Sequence, residues 1–517
     1  MGFSFSKIAE ELVGADAQLK KGKKHGLFSA IIVGLGSAIG FEIFGQLGYA
    51  YRLAQGSMVS ALFLGGLICL LTMFSYSELC AALPVKGGEY SYTKAAFGGF
   101  TAFMAGCLRW LSSIFGAAFA AIVFAQQLLY ALAILLPLDQ NQISAYTSLI
   151  AAILICILGV LSIRGAKEIT TLLVVAFVAI FFIFIAGGFG QGQIVPEIFP
   201  RFEGISGVFA ATAYTFIMFV GVRATVVAAP ETESPEKNIP KAIFLSMIML
   251  IALYCSVAYV TTSVIGEEEF VESTLLNSAA EKTLGLLGGV LVAIGGMVAS
   301  ISSVSTAITV QSSIVCGMSR DGYFPKALMK LHSHFGTPHV AVVVNSLFIL
   351  LFLVLGAGAV GLGFSASFAS ILVFALVNLS VIKLRETKPH LERPLKAPFY
   401  PFTPLIGITM SLILLSVPVL LEGDVNAESA MLWSLGLMGL VLATYHLRMM
   451  GFHRLRIALG GVSLGIGFFA ALFACLIKQG FKPLILPLVP PDILIFVSVV
   501  SILAGILNIL IGMRKLF

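Results

Sequence analysis

Charge is what this chain has least of. Of its 517 residues only 11% are Asp, Glu, Lys or Arg, while 59% are hydrophobic and the mean hydropathy is +1.03. That balance excludes a water-soluble domain. Cysteine is sparse, with 7 residues. Cys69, Cys80, Cys107, Cys156, Cys255, Cys316 and Cys475 all fall in apolar stretches without CxxC spacing, so a disulfide framework and a structural zinc site have no support and packing roles remain. His332 and His334 are too slight a pair to make a metal site. The phosphate-cradling pattern GxxxxGK[ST] does not occur, which removes ATP as a driving force, and no catalytic triad has an extramembrane domain to live in, so an enzyme is not expected. Residues 1–26 are polar and hold Lys20, Lys21, Lys23 and Lys24; they do not read as a cleavable leader.

What is abundant is long apolar runs. They lie at about 27–50, 57–82, 100–136, 143–163, 168–190, 205–229, 241–265, 285–316, 339–357, 362–382, 403–421, 430–449, 456–478 and 487–512, and crossing a bilayer takes roughly 17–25 apolar residues. The fold class expected is an all-α polytopic membrane protein of about fourteen transmembrane helices. Threading the chain from a cytoplasmic amino terminus leaves Arg52, Arg201, Lys282, Lys478 and Lys482 outside and Arg109 and Arg223 within spans; the rest of the 31 Lys and Arg fall on the cytoplasmic side. This obeys the positive-inside rule. The net charge of +6 then reflects topology, not nucleic-acid binding. A multi-pass cell-membrane protein with both termini cytoplasmic follows, with the lipid bilayer and a small-molecule solute as partners and the oligomeric state unread. Glu267-Glu268-Glu269 reads as a solvated outer loop.

Two of the runs are poor plain anchors. Leu27 to Ala50 carries Gly34, Gly36, Gly40, Gly45 and Gly48 around a glutamate. Glycine costs about 1 kcal/mol relative to alanine inside a helix, so Gly36-Ser37-Ala38-Ile39-Gly40 is where a membrane helix could unwind. Close packing through a small-xxx-small face is the alternative. The sixth run places Gly221 and then Arg223 deep in an apolar, β-branched and aromatic stretch, which suggests a second interruption. Interrupted helices five apart are what an inverted five-plus-five repeat produces, with substrate held between the breaks. Half-helix amino termini attract a carboxylate, and exposed carbonyls attract an ammonium or a cation.

Five separated segments carry a family resemblance. VGLGSAIGFEIF, PVKGGEYSYTKAAFG, FVGVRATVVAAPETESPEKNIPKAI, GMSRDGYFPKALMKLHSHFGTPHVA and LSVIKLRETKPHLERPLKAPFYP resemble, in order, the glycine-rich first helix, the first cytoplasmic loop, the sixth helix with its Glu/Asn-Pro/Ile-Pro tail (here Glu231, Glu233, Pro235, Asn238, Ile239 and Pro240) and two later cytoplasmic signatures of the amino acid/polyamine/organocation (APC) transporter superfamily. The resemblance implies an amino acid permease with a LeuT-like 5+5 inverted-repeat core and broken helices 1 and 6. It divides the chain into a cytoplasmic tail (1–26), a first five-helix repeat (27–190), a second (205–382), helices 11 and 12 (403–449) and helices 13 and 14 (456–512). The last pair is similar to the fourteen-helix cationic amino acid transporter branch. The function implied is secondary active transport of amino acids or related amines by alternating access. A fourteen-helix multidrug or organic-cation antiporter and an amino acid sensor with this fold are the rivals.

By the same resemblance, Ser37, Ala38, Ile39 and Gly40 would offer backbone amides to a substrate carboxylate. Phe216, Phe219 and Gly221 would supply carbonyls for its ammonium and an aromatic gate, or the two rings are simple core packing. Two positions depart from the family pattern, both by a charge. Glu42 stands where the first helix usually has a small residue, and Arg223 where the sixth usually has a carboxylate or small polar group. Intramembrane ionisable residues are functional-site hypotheses by default: Glu42 would line the substrate cavity or carry a coupling proton, with Arg223 setting its charge state directly or through the substrate. A structural ion pair is the alternative. No cofactor is expected beyond a coupling H⁺ or Na⁺. For sodium, Ser302, Ser305 and Thr306 with the carbonyl of Val33 would supply hard oxygen ligands, although such hydroxyls also bond back to helix carbonyls. Uncoupled exchange stays open beside both ions.

Overall fold

A backbone in lipid must satisfy its own N–H and C=O groups, so apolar runs of this length fold as helices. The computed structural model describes residues 26–83, 87–134, 140–164, 170–189, 204–227, 232–265, 271–354, 358–420, 455–478 and 491–514, with isolated positions between 434 and 445. All but one of the expected spans appear there as helices. They are Leu27–Ala38 with Glu42–Ala54, Met58–Ala82, Gly99–Ala133, Gln140–Ile163, Thr170–Gly188, Ile205–Thr215 with Ile217–Val220 and Ala224–Val227, Pro235–Val264, Leu286–Arg320, His339–Val354, Gly358–Thr387, Phe402–Leu420, Leu455–Lys478 and Pro491–Arg514. These are spans 1 to 11, 13 and 14. The expected twelfth at 430–449, the lysines of the amino-terminal tail, Pro84 to Lys86, Glu231 and the Glu267-Glu268-Glu269 loop lie outside the described residues, apart from the isolated positions in span 12. By length and composition 6 of the described helices can cross a membrane unaided, and the bent sixth span raises this to 7; the others are shorter apolar helices.

Two further helices lie across the ends of the bundle. Glu89–Phe97 stands where the glycine pair and aromatics suggest a tight loop. It buries Glu89, Tyr92 and Thr93, which at i, i+3 and i+4 share one helical face. Leu275–Leu284 buries Leu275, Leu276, Ala279, Ala280 and Thr283 in the same manner. Each ends in a glycine that turns straight into a helix of 35 residues: Gly98 (φ 92°, ψ −170°) into Gly99–Ala133, and Gly285 (φ 72°, ψ −174°) into Leu286–Arg320. Those torsions are open to essentially no residue but glycine. The two 35-residue helices pack against each other. One transverse helix lies between spans 2 and 3, the other between spans 7 and 8, at opposite faces of the bundle. This is the inverted repeat of a LeuT-like fold, visible in the backbone where no repeat shows in the sequence.

The face on which span 1 begins, the amino-terminal face, is held by the loop signatures. Asp321 accepts hydrogen bonds from Lys94 Nζ (2.6 Å) and from the Tyr90 hydroxyl. Burial and the Asp321 carboxylate together push the Tyr90 phenol well above its ordinary range, so it stays a donor. Glu78, buried in span 2, accepts from Arg385 Nε and Nη2 (2.8 and 2.6 Å) and from the Ala397 N–H (2.7 Å), with Arg393 Nε at 3.4 Å. Charge-assisted bonds of this kind are the strong ones, and they clamp the segment after span 10 onto span 2.

Candidate functional site

Span 1 leaves the helix at Ile39 (φ −78°, ψ 90°) and resumes it at Glu42, at the end of the glycine run where unwinding is expected. The N–H groups of Phe44 and Gly45 turn back to the Phe41 carbonyl, both at 3.1 Å. Those of Gly40, Phe41, Glu42 and Ile43 reach no backbone carbonyl among the described residues. Four amides without a backbone acceptor among the described residues therefore cluster at the positive end of Glu42–Ala54. On the other side of the break the Tyr254 hydroxyl donates to the Ala38 carbonyl at 2.8 Å.

Span 6 is bent rather than unwound. Its axis turns by 41° at Phe216, while Phe216 and Gly221 keep right-handed helical torsions. The Tyr214 carbonyl freed by the bend accepts from Gln46 Nε2 (2.8 Å) and Ser367 Oγ (2.7 Å), and the Phe219 carbonyl accepts from the Cys69 thiol (3.5 Å). The two broken spans then meet backbone to backbone: a Cβ on Gly221 would run into the Ser37 carbonyl and the Ala38 Cα. No side chain fits there. The structure thus brings together Ser37, Ala38 and Gly221, with Ile39, Gly40 and Glu42 beside them. Ser37 is exposed and Ala38, Ile39 and Gly40 are buried. Phe216 and Phe219 are fully buried, edge-on to Phe374 (5.3 Å) and Tyr254 (5.5 Å), which is core packing around the break.

The direct pairing of Glu42 with Arg223 is corrected. Arg223 Nη1 reaches Glu89 Oε1 at 3.2 Å, and the Tyr76 hydroxyl donates to the same oxygen at 3.0 Å. The cause is position: seven residues beyond the bend at about 1.5 Å per residue carry Arg223 to the transverse helix Glu89–Phe97. Glu42 Oε2 is left enclosed without a hydrogen-bond partner among the described residues. At the opposite face, Arg52 Nη1 meets Glu272 Oε2 at 3.2 Å, and Gly48 lies against the Glu272 carbonyl. Span 8 approaches span 1 at the break and after it, with Ser303 against Gly40 and Gly296 against Phe44, rather than along the half that holds Val33. Ser302 and Ser305 are half-buried, Thr306 is exposed, and the Ser305 carbonyl accepts from Thr309 Oγ1 at 2.9 Å.

Sequence reasoning missed Glu89, Gln46, Tyr254 and Ser367. Glu89 at the edge of a glycine turn looks like a solvated loop residue, and its only signal is its helical register with Tyr92 and Thr93. The other three are ordinary polar residues in apolar spans, and only the fold shows that each holds a carbonyl at a break.

The family described as "Amino acid permease" matches residues 26–443. The chain is similar to the branched-chain amino acid permease BcaP of Bacillus subtilis, 28% identical over 84% of this chain and 96% of that one. It is 26% identical to the methylthioribose transporter of the same organism over 79% of this chain and 91% of that one, and 26% identical to cationic amino acid transporter 9 of Arabidopsis thaliana over 60% and 57%. A manganese transporter mutant from Eremococcus coleocola shares the fold, with a TM-score of 0.52 at 11% identity, covering 93% of this chain and 96% of that one. With an unwound first span crossing a bent sixth one, an inverted backbone repeat and a family match over most of its length, this chain belongs to the amino acid permease family of the APC superfamily.

Proposed function

We propose that the protein is a secondary active transporter that carries amino acids or related amines by alternating access, with both termini in the cytoplasm. The observation that carries this reading is the crossing of spans 1 and 6 at Gly221 and Ser37, which joins two interrupted helices of opposite repeats beside the break in span 1. Irregular backbone inside a membrane is tolerated only where it is buried in protein or lines a cavity. Broken helices crossing in this way are the pattern of a midplane substrate site. The relatives named as permeases and transporters support it.

Alternating access needs joints that part at each face in turn. Arg223 with Glu89 ties the amino-terminal half of the crossing to a transverse helix, and Arg52 with Glu272 does so at the other face. Each pair separates when its own face opens. The amino-terminal face is cytoplasmic in this reading because it collects most of the lysine and arginine.

The test is melting of the purified protein against the common amino acids and small amines, with and without Na⁺ and at two pH values, followed by uptake into proteoliposomes. A solute of one class raises the melting temperature by mass action and is accumulated, and its dependence on Na⁺ or pH names the coupling. Gly221→Leu is expected to abolish uptake, since overpacking costs about 1–3 kcal/mol at the place where the two spans must move. Full uptake by that variant would overturn the crossing as the transport site.

A further inference from the structure

In this fold a solute carboxylate would find its natural place on the amides of Gly40 to Ile43, which meet no backbone carbonyl among the described residues, at the amino terminus of the 13-residue helix Glu42–Ala54. That place is taken. The Glu42 side chain folds back over the break, with Oε2 so close to Gly40 that a Cβ there would collide with it. The chain has put its own carboxylate at the positive end of the half-helix, where the dipole and the free N–H groups favour an anion.

What surrounds that carboxylate matters as much. Oε2 is enclosed and has no hydrogen-bond partner among the described residues. Ser303 Oγ lies 3.3 Å from the Cβ position of Gly40. The Tyr254 hydroxyl spends its proton on the Ala38 carbonyl, and Arg223, the nearest cation along span 6, is held by Glu89. Among the described residues the neighbourhood therefore offers a carbonyl and the Ser303 hydroxyl beside the carboxylate, while the arginine of span 6 is paired elsewhere. An enclosed carboxylate in this state is completed by a positively charged donor. An ammonium, with three N–H donors and no acceptor, matches it, whereas an α-amino acid would bring a second carboxylate within a few ångströms of the first.

We propose that Glu42 occupies the carboxylate subsite of span 1 and that the transported solute is an organic amine without an α-carboxylate, bound through its ammonium to Glu42 Oε2 and the Ser303 hydroxyl of span 8. This rests on the transporter reading above and narrows its substrate class. The relative named as a methylthioribose transporter carries a name outside the amino acids, so membership of the family does not oppose it.

The experiment compares pairs that differ only in the carboxylate: agmatine with arginine, cadaverine with lysine, putrescine with ornithine, isobutylamine with valine. The full chain is purified, and melting-temperature shifts are titrated for wild type, Glu42→Gln and Glu42→Gly. In wild type the amine of at least one pair binds at least tenfold more tightly than its amino acid. Glu42→Gln loses that amine at least tenfold, and Glu42→Gly, which vacates the amides, reverses the preference toward the amino acid. Each variant is checked for an unliganded melting transition and a monodisperse elution profile; if Glu42→Gly does not fold, the wild-type ranking and Glu42→Gln decide. An amino acid that binds wild type more tightly than its amine, with Glu42→Gln unchanged, overturns the inference and leaves the transporter reading standing. Binding of neither class to folded protein overturns both.

Discussion

The two repeats use the same joints with different degrees of burial. In each, an arginine at the end of a broken span reaches an acid at the start of the other repeat's transverse segment: Arg223 to Glu89 at the amino-terminal face, Arg52 to Glu272 at the opposite one. In each, a side chain from the following span of the opposite repeat caps a carbonyl at the break: Tyr254 on Ala38, Cys69 on Phe219. Yet the Arg223 and Glu89 side chains are 16% and 6% exposed, against 54% and 33% for Arg52 and Glu272. The first span is unwound over Ile39 to Phe41, while the sixth only bends. Inverted repeats therefore preserve the wiring and not the environment, and an ion pair's effect depends on the environment. A buried pair that loses one partner leaves an uncompensated charge; an exposed pair returns its partner to water.

The largest effect is expected at the amino-terminal face. Arg223→Gln leaves Glu89 buried with only the Tyr76 hydroxyl, and breaking a buried pair typically costs about 3–5 kcal/mol. Melting of the purified variant should fall well below wild type, and the swapped double variant Arg223→Glu with Glu89→Arg should recover part of the loss. If the single variant melts as wild type does, the burial contrast between the faces has no energetic content. Next in size are the two glycine corners. At both Gly98 and Gly285 an added Cβ would meet nothing within 4 Å, so Gly98→Ala and Gly285→Ala isolate the torsional cost of a conformation that disfavours side chains, about 1–3 kcal/mol each. Equal losses of melting temperature at the two sites would show that the repeats are equivalent at their corners. A loss at only one would show that the two corners are strained to different degrees.

Most of the architecture was legible because lipid imposes a coarse rule: a run of apolar residues long enough to cross must be a helix, and glycine-rich interruptions mark where it stops. That rule located the break at Ile39 to Phe41 and all the described spans; in the sixth span it pointed to Gly221, five residues beyond the bend at Phe216. It is silent about helices that lie across the membrane surface, so Glu89–Phe97 read as a loop. Charge was legible as unusual and not as paired. Glu42 and Arg223 stood out for the same reason, being charges in apolar runs, and the sequence put them together because it holds no record of distance. A helix rises only about 1.5 Å per residue, and once the bend at Phe216 is fixed, Arg223 is carried out of reach of the break and into reach of Glu89. The carbonyl caps from Gln46, Ser367 and Tyr254 were invisible, since a lone polar residue in a span has many possible partners.

The smallest effect expected sharpens the contrast from its other side. Arg52 is mostly exposed and also lies over the Tyr49 ring, 4.9 Å from its centroid. An exposed ion pair contributes about 0–1 kcal/mol, so Arg52→Gln should shift melting little. What distinguishes the two faces is the response to salt. Exposed charges are screened over about 8–10 Å at physiological ionic strength, and buried ones much less. Raising the salt should therefore bring wild type toward the Arg52→Gln variant while leaving the gap between wild type and Arg223→Gln nearly unchanged. A salt-sensitive gap at Arg223 would mean that water reaches Glu89, and the amino-terminal face would then have to be described as the open one.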